Sequence, residues 1–172
     1  MAESGSSPPP ARGRPSISPC RKETCVPDSS PNQPILLVED SPEDFETTER
    51  AFRRSGLKNP IIRCADGDEA LEFLFRRGRF ADAPRPGVVL LDLNLPGTDG
   101  REVLSEIKAA PQLKHIPVIV LTTSSDDRDV HACYQAGASS YIQKPVDLDG
   151  FMRAIERLND YWFEVVILPK AQ

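Results

Sequence analysis

The chain has 172 residues, which is enough for one domain of ordinary size and an additional segment. Hydrophobic residues make up 39% and charged residues 27%, a balance typical of a globular protein with a polar surface. The net charge of −5 argues against a nucleic-acid partner, and no apolar run is long enough to suggest a membrane span. The N-terminus lacks the apolar stretch of a secretory signal, so we expect a cytoplasmic protein.

The first 33 residues differ in composition from the rest of the chain. They are dense in Pro and Ser and contain almost no large apolar side chains. Such a segment cannot bury enough surface to offset the entropy lost on ordering, so we predict that residues 1–33 are disordered. We assign residues 34–160 to one folded domain and residues 161–172 to a C-terminal arm. The cysteines share no convincing metal-type spacing and are predicted to be free thiols: Cys20, Cys25, Cys64 and Cys133.

From residue 35 onwards, short apolar strands alternate with helical patterns. The predicted strands are "ILLVED", "PIIRCAD", "GVVLLDL", "IPVIVLT" and "SSYIQK". Between them lie four helical segments, the first with Ser41 as its N-cap and Pro42 in its first turn, and a fifth helix begins near Asp147. This alternation predicts an α/β doubly wound fold with a parallel sheet. Strands three and four are continuously apolar, as in strands covered on both faces, whereas strands two and five are mixed and should lie nearer the edges.

Polar residues that carry chemistry follow four of the five strands. Glu39 and Asp40 end the first strand, Asp92 the third, Thr122 the fourth and Lys144 the fifth. Because the strands are parallel, we expect these side chains to share one edge of the sheet, where such folds bind ligands. Three carboxylates this close need a cation, and Mg²⁺ suits a site of carboxylates, waters and phosphate oxygens. Asp92 is then placed to act as a carboxylate nucleophile towards phosphorus, with Lys144 and Thr122 contacting phosphoryl oxygens.

These motifs resemble those of the receiver domain of bacterial response regulators, the phosphoacceptor partners of sensor histidine kinases. The resemblance rests on "VED" after the first strand, "DLNLPGTDG" after the third, "LTTS" after the fourth and "AGASSYIQKP" around the fifth. It covers about residues 35–160 and implies that residues 34–160 form a receiver domain with the flavodoxin-like strand order 2-1-3-4-5. It also implies a phosphoacceptor signalling protein, which catalyses only its own phosphoryl transfer and dephosphorylation.

The resemblance assigns roles around the acceptor. Asp92 would accept the phosphoryl group as an acyl phosphate. Mg²⁺ would be held by Asp40 and Asp92, by the backbone carbonyl of Asn94, and by Glu39 through water, although the family most often has Asp where Glu39 stands. Asn94 and Ser124 occupy the positions at which the family tunes the lifetime of the acyl phosphate.

The same resemblance assigns roles in switching. On activation the hydroxyl of Thr122 would turn to a phosphoryl oxygen and Tyr141 would move inward. Lys144 would form an ion pair with the phosphoryl group, and the peptide bond between Lys144 and Pro145 is expected to be cis.

The C-terminal segment "YWFEVVILPKAQ" is unusually apolar for a chain end and must either fold onto its own core or cover a partner; we favour the partner. With the long "FRRGRFADAPRPG" connection, it resembles the single-domain response regulators of phytochrome kinases. Those proteins dimerise through the fourth-helix, fifth-strand and fifth-helix face, with the arm crossing to the partner. By that resemblance we expect a homodimer, a phytochrome-type kinase, and dimer contacts from Trp162, Phe163, Val165, Val166 and Leu168.

The sequence is compatible with two other functions, each of which fits less well. A phosphatase of the haloacid-dehalogenase type also uses an Asp nucleophile with Mg²⁺, but it needs a second acid where this chain has Asn94, and "DLDG" at 147–150 follows no hydrophobic strand. A receiver-like interaction module that never takes phosphate usually lacks the acceptor, the metal acids or the lysine, and this sequence keeps all of them. We expect neither a nucleic acid nor a membrane as a partner of this protein.

Overall fold

The computed structural model describes residues 33–169, so the segment predicted to be disordered lies outside the described residues except for Gln33. The five strands are β1 (Ile35–Val38), β2 (Ile61–Cys64), β3 (Val88–Leu91), β4 (Val118–Thr122) and β5 (Ser140–Gln143). The five α-helices are α1 (Pro42–Arg54), α2 (Gly67–Phe75), α3 (Gly100–Ala109), α4 (Asp127–Gln135) and α5 (Leu148–Asn159). Each of the predicted strands and helices is therefore present, in the predicted order.

All neighbouring strands pair in parallel, in the order β2-β1-β3-β4-β5. The predicted fold class and strand order are confirmed. The register aligns the ends of the central strands, because Val38 of β1 pairs with both Cys64 of β2 and Leu91 of β3. The residues that directly follow Val38 and Leu91, namely Glu39 and Asp92, consequently lie side by side.

Burial along the strands follows the hydrophobic pattern. Every residue of β1, β3 and β4 is buried, whereas most residues of the edge strands β2 and β5 are partly exposed. One core cluster, which includes Phe73, Leu104 and Ile107, lies on one face of the sheet. A second cluster, which includes Phe52 and Ile155, lies on the other face between α1 and α5. Each such side chain contributes about 1.5–3 kcal/mol on burial, so the apolar strands form a rigid support for the residues at their ends.

A capping side chain begins each α-helix. Ser41 accepts a hydrogen bond from the Asp44 amide and Pro42 occupies the first turn, as predicted. The other four helices begin after an aspartate whose carboxylate accepts a backbone N–H of the first turn: Asp66, Asp99, Asp126 and Asp147. These capping side chains thus determine at which residue each α-helix begins. None of the helices within residues 33–169 has the length and hydrophobicity required of a membrane span.

The C-terminal segment differs from the expectation that it mainly covers a partner. The chain continues beyond α5 as a π-helical segment, Asp160–Val165. Trp162 is only 9% exposed and belongs to the core cluster between α1 and α5, and the Phe163 ring packs edge-on against Phe52 with centroids 6.3 Å apart. Val166 and Leu168 also pack against this cluster, whereas Val165 is 69% exposed. The arm folds onto its own core because Trp162 continues the apolar stripe of α5 across the predicted domain boundary.

Candidate functional site

The centre of the site is the side chain of Lys144, which follows β5. Its Nζ lies 2.6 Å from Oε2 of Glu39, 2.7 Å from Oδ2 of Asp92 and 3.1 Å from Oδ2 of Asp44. Glu39 and Asp92 are brought to Lys144 by the parallel register, and Asp44 comes from the first turn of α1. Of the predicted site acids, the structure brings Glu39 and Asp92 to Lys144, whereas Asp40 makes no ion pair with it.

The site buries more negative than positive charge. Glu39, Asp92 and Lys144 are 2%, 6% and 7% exposed, so one buried ammonium faces two buried carboxylates and the half-exposed Asp44. Burial raises the pKa of Glu39 above its usual value, and the hydrogen bond and charge of Lys144 offset this only in part. Burial also disfavours the charged form of Lys144, but its hydrogen bonds to Asp92 and Glu39 outweigh that effect and raise its pKa. Lys144 is accordingly a permanent cation at physiological pH.

The loops after β1 and β3 hold the remaining predicted metal-site residues. Asp40 is exposed, and its backbone carbonyl accepts a hydrogen bond from Arg63. Asn94 is exposed, and its backbone N–H donates to Oδ1 of Asp92 over 3.0 Å. Within residues 33–169, no three His, Cys, Asp or Glu side chains are arranged as a metal-binding group, and the Glu39 and Asp92 carboxylates both contact Lys144.

The chemistry of this donor set nevertheless fits a divalent cation. Oxygen donors predominate, and the buried negative charge exceeds the single ammonium of Lys144. Mg²⁺ prefers such carboxylate and carbonyl oxygens and retains several waters, so it does not need a preformed protein cage. Asp40 adds an exposed carboxylate directly after the buried Glu39, so a further oxygen donor on this loop is accessible from solvent.

The predicted switch residues meet on the loop that follows β4. The Thr122 hydroxyl is buried and accepts hydrogen bonds from the backbone N–H of Ser124 over 3.3 Å and from the Asn94 side-chain amide over 3.4 Å. The Tyr141 hydroxyl donates to the backbone carbonyl of Ser124 over 3.0 Å. Thr122 and Tyr141 are therefore both connected to Ser124.

The predicted cis peptide bond before Pro145 is wrong for this structure. No peptide bond within the described part of the chain is cis, so the bond from Lys144 to Pro145 is trans. A prolyl bond makes the cis form accessible, but trans remains favoured by about 0.5–1 kcal/mol unless the surrounding fold selects cis.

Sequence reasoning missed several residues that contact the site. Asp44 had a usable signal, since it lies in the first turn of the helix that directly follows the Glu39-Asp40 pair. No sequence pattern pointed to Arg63 or Asp129. Arg63 of β2 binds the backbone of the β1–α1 loop, and Asp129 of α4 binds Ser124. Cys64 and Cys133 are buried free thiols, as predicted, while Cys20 and Cys25 lie outside the described residues.

The fold and this arrangement define the class of protein. The chain matches the response regulator receiver domain over residues 35–156, and it belongs to that family. It is thus a receiver domain of two-component signalling systems, as the strand-end motifs predicted.

Individual relatives narrow the resemblance further. Response regulator Rcp1 of Synechocystis sp. is 42% identical over 144 residues, which cover 84% of this chain and 98% of Rcp1. The crystal structure of the Mn²⁺-bound form of Rcp1 has a TM-score of 0.78 and covers 80% of this chain and 99% of that chain. The phosphorylated cyanobacterial phytochrome response regulator RcpA is 38% identical, with a TM-score of 0.78 and coverage of 81% and 99%. The predicted resemblance to phytochrome-associated response regulators is confirmed.

Proposed function

We propose that the protein is the phosphoacceptor of a two-component phosphorelay, in which Asp92 takes a phosphoryl group from the phosphohistidine of a sensor kinase. The observation that carries this proposal is the position of the buried Asp92 carboxylate, with Oδ2 at 2.7 Å from the Lys144 ammonium and Oδ1 accepting the Asn94 N–H. A carboxylate held by two donors at a rigid strand end is oriented for attack on phosphorus.

Asp40, Asp92 and the Asn94 carbonyl would hold Mg²⁺, with Glu39 acting through water. When bound, Mg²⁺ supplies positive charge to the carboxylates and to the phosphoryl oxygens. The relative Rcp1 has a Mn²⁺-bound form, which supports a divalent site in this chain. Lys144 already neutralises part of the Glu39 and Asp92 charge, so it would turn to the phosphoryl group once that group adds its own negative charge.

In the transfer step, one carboxylate oxygen of Asp92 forms a bond to phosphorus as the bond from phosphorus to the kinase imidazole nitrogen breaks. The nitrogen keeps the electron pair and the kinase histidine is regenerated. Lys144 contacts the acceptor directly, and the Thr122 hydroxyl binds the side chain of Asn94, two residues beyond the acceptor; both would contact phosphoryl oxygens. Apart from this transfer and the hydrolysis of its own acyl phosphate, the protein would be a signalling protein without turnover of a separate substrate.

The surface beside Lys144 fits the kinase domain that carries the phosphohistidine. A cavity of about 390 Å³ lies between α1 and the loop before α5, with Lys144 and Phe151 in its lining. Val146 and Leu148 on its rim are 107% and 62% exposed. An apolar rim next to the acceptor gives a helical partner an anchoring surface within reach of Asp92. By resemblance to RcpA, a phytochrome kinase is the preferred donor.

Phosphorylation would be transmitted through Thr122 and Tyr141 to the face formed by α4, β5 and α5, and so to a homodimer. The C-terminal arm supports this proposal through Val165, which is 69% exposed, while Phe163, Val166 and Leu168 are partly buried on the chain's own core. Trp162 would stabilise the arm from beneath and would not itself enter the dimer interface. Sedimentation of the wild type and Val165→Asp, with and without acetyl phosphate, tests this: the variant should dimerise more weakly in both conditions.

Intact mass after incubation with acetyl phosphate and Mg²⁺ tests the acceptor. We expect a gain of one phosphoryl group that requires Mg²⁺, is lost with EDTA and is absent in Asp92→Asn. Asp149→Asn, which removes an exposed carboxylate of α5, is the matched control and should be phosphorylated like the wild type. No mass gain in folded wild-type protein would contradict the proposal and favour a phosphate-independent interaction module. Sustained turnover of p-nitrophenyl phosphate would instead indicate a hydrolase.

A further inference from the structure

An ion pair between Arg101 and Asp129 joins α3 to α4. The guanidinium of Arg101 contacts both carboxylate oxygens of Asp129, with Nε 3.1 Å from Oδ1 and Nη2 2.7 Å from Oδ2. The two side chains are 36% and 23% exposed, so this pair is more protected than the neighbouring pair of Arg128 with Asp126, which is 91% and 43% exposed. Two parallel hydrogen bonds also restrict its geometry.

Asp129 also binds Ser124, which lies in the loop that follows β4. Its Oδ2 accepts a hydrogen bond of 2.6 Å from the hydroxyl of Ser124. The hydrogen bond from Ser124, followed by that from Arg101, holds the pKa of Asp129 below its usual value, so the Asp129 carboxylate stays ionised. A charged acceptor makes this the stronger type of hydrogen bond.

The backbone of Ser124 contacts both predicted switch residues, Thr122 and Tyr141. Its backbone N–H donates to the Thr122 hydroxyl and its carbonyl accepts from the Tyr141 hydroxyl. Residues 123–126 belong to neither β4 nor α4, so the backbone of Ser124 has no helix or strand ladder to hold it. The side-chain bond to Asp129 therefore replaces regular structure as the support of this backbone.

We propose that Arg101 and Asp129 are positioning residues for phosphoryl transfer: Arg101 fixes Asp129, Asp129 fixes Ser124, and Ser124 sets the orientation of the Thr122 hydroxyl and of Tyr141. Because the Thr122 oxygen accepts the Ser124 N–H, its own proton is free to point towards a phosphoryl oxygen. Loss of Asp129 releases Ser124 and leaves the Thr122 hydroxyl without this orientation. The inference rests on the proposed function of Asp92. The effect on the Ser124 backbone can nevertheless be measured in unphosphorylated protein.

Amide hydrogen exchange of unphosphorylated protein and the rate of phosphorylation by acetyl phosphate with Mg²⁺ form the test. In Asp129→Ala the Ser124 amide should exchange about fivefold faster and phosphorylation should slow by a similar factor, as expected for loss of one hydrogen bond. Arg101→Met should give smaller effects of the same sign. Arg128→Met is the matched control, since it neutralises an arginine of α4 that binds Asp126 and not Asp129, and it should match the wild type.

The double variant Arg101→Met/Asp129→Ala decides whether Arg101 acts through Asp129. We expect it to equal Asp129→Ala in both measurements, because the remaining carboxylate partner of Arg101 is Asp99, which makes no hydrogen bond to Ser124. Additive effects would overturn the chain of contacts, as would wild-type exchange at Ser124 in folded Asp129→Ala. If Asp129→Ala does not fold, Asp129→Leu keeps the branched shape of the side chain without a hydrogen-bond acceptor and serves in its place. A wild type that takes no phosphoryl group would refute the proposed function, while the exchange data would still test the positioning of Ser124.

Discussion

The Nη2 atom of Arg63 lies 2.7 Å from the backbone carbonyl oxygen of Asp40. Its Nε donates to the carbonyl of Glu39 over 3.1 Å, and its guanidinium lies over the Phe45 ring at 5.4 Å. One arginine on an edge strand thus holds the backbone of both acids that follow β1. This clamp fixes the backbone from which the exposed Asp40 carboxylate projects.

Replacing Arg63 by Met should weaken metal binding. Loss of a group that positions metal ligands without touching the metal typically costs about tenfold or more in metal affinity. Removing the positive charge of Arg63 favours the cation, but solvent screening keeps that effect small. We expect the Mg²⁺ concentration for half-maximal phosphorylation to rise about tenfold. Titration with Mn²⁺ followed by electron paramagnetic resonance measures the affinity without phosphate. Arg50→Met, on the exposed surface of α1, should leave both values unchanged, and equal affinities for Arg63→Met and wild type would refute the clamp.

Gly100 allows the start of α3 to approach the backbone of Asp92. A Cβ atom there would lie 2.2 Å from the carbonyl oxygen of Asp92 and 2.7 Å from Cα of Leu93, neither of which can move freely. Gly100→Ala should therefore lower the free energy of unfolding by about 2–3 kcal/mol and displace the acceptor loop. Gly150→Ala is the control, because the atoms nearest its Cβ belong to the Asp147 side chain, which can shift, and we expect a change within about 1 kcal/mol. Urea unfolding measures both, and similar values for the two variants would contradict the prediction.

Cys64 gives the fold a specific sensitivity to alkaline pH. Burial, followed by the nearby charges of Glu69 and Asp66, raises the pKa of this thiol from 9.0 to about 12. Above pH 9 the unfolded chain loses the thiol proton while the folded chain keeps it, so the stability contribution present below pH 9 is lost as the pH rises towards 12. Between pH 8 and pH 10 the wild type should lose about 1 kcal/mol more unfolding free energy than Cys64→Val. Urea unfolding in the presence of a reductant measures this, and parallel pH profiles would show that Cys64 ionises as easily in the fold as outside it.

Trp162 should stabilise the domain in which it is buried. Trp162→Ala should lower the free energy of unfolding by about 3–5 kcal/mol, since the side chain fills the core between α1 and α5. Val165→Ala, three residues further along the same π-helical segment, should change it by no more than about 0.5 kcal/mol because Val165 is exposed. Unfolding in urea should be followed by circular dichroism, because Trp162 is the single Trp of the chain and its replacement removes the fluorescence signal. A small loss for Trp162→Ala would place the arm away from the core in solution.

The elements and the central residues of the site could be predicted because both depend on local patterns. The apolar runs of β1, β3 and β4, together with caps such as Ser41, specify strands and helices within a few residues of chain. A parallel sheet then brings the carboxyl ends of all strands to one edge. That geometric rule alone places Glu39 and Asp92 beside Lys144 without knowledge of any side-chain packing.

Only the tertiary structure decided the contacts that depend on which surfaces meet. Arg63 reaches the Asp40 carbonyl across a strand pair, and Asp129 joins Ser124 to Arg101 across two helices. No periodicity in the sequence encodes these pairings, because each residue alone resembles an ordinary exposed charge. Whether Trp162 covers its own core or a partner was equally open to sequence reasoning, since apolar area is buried favourably in either place. The packing of α5 against α1 resolves that choice, because the indole is buried in the core cluster that these two helices share.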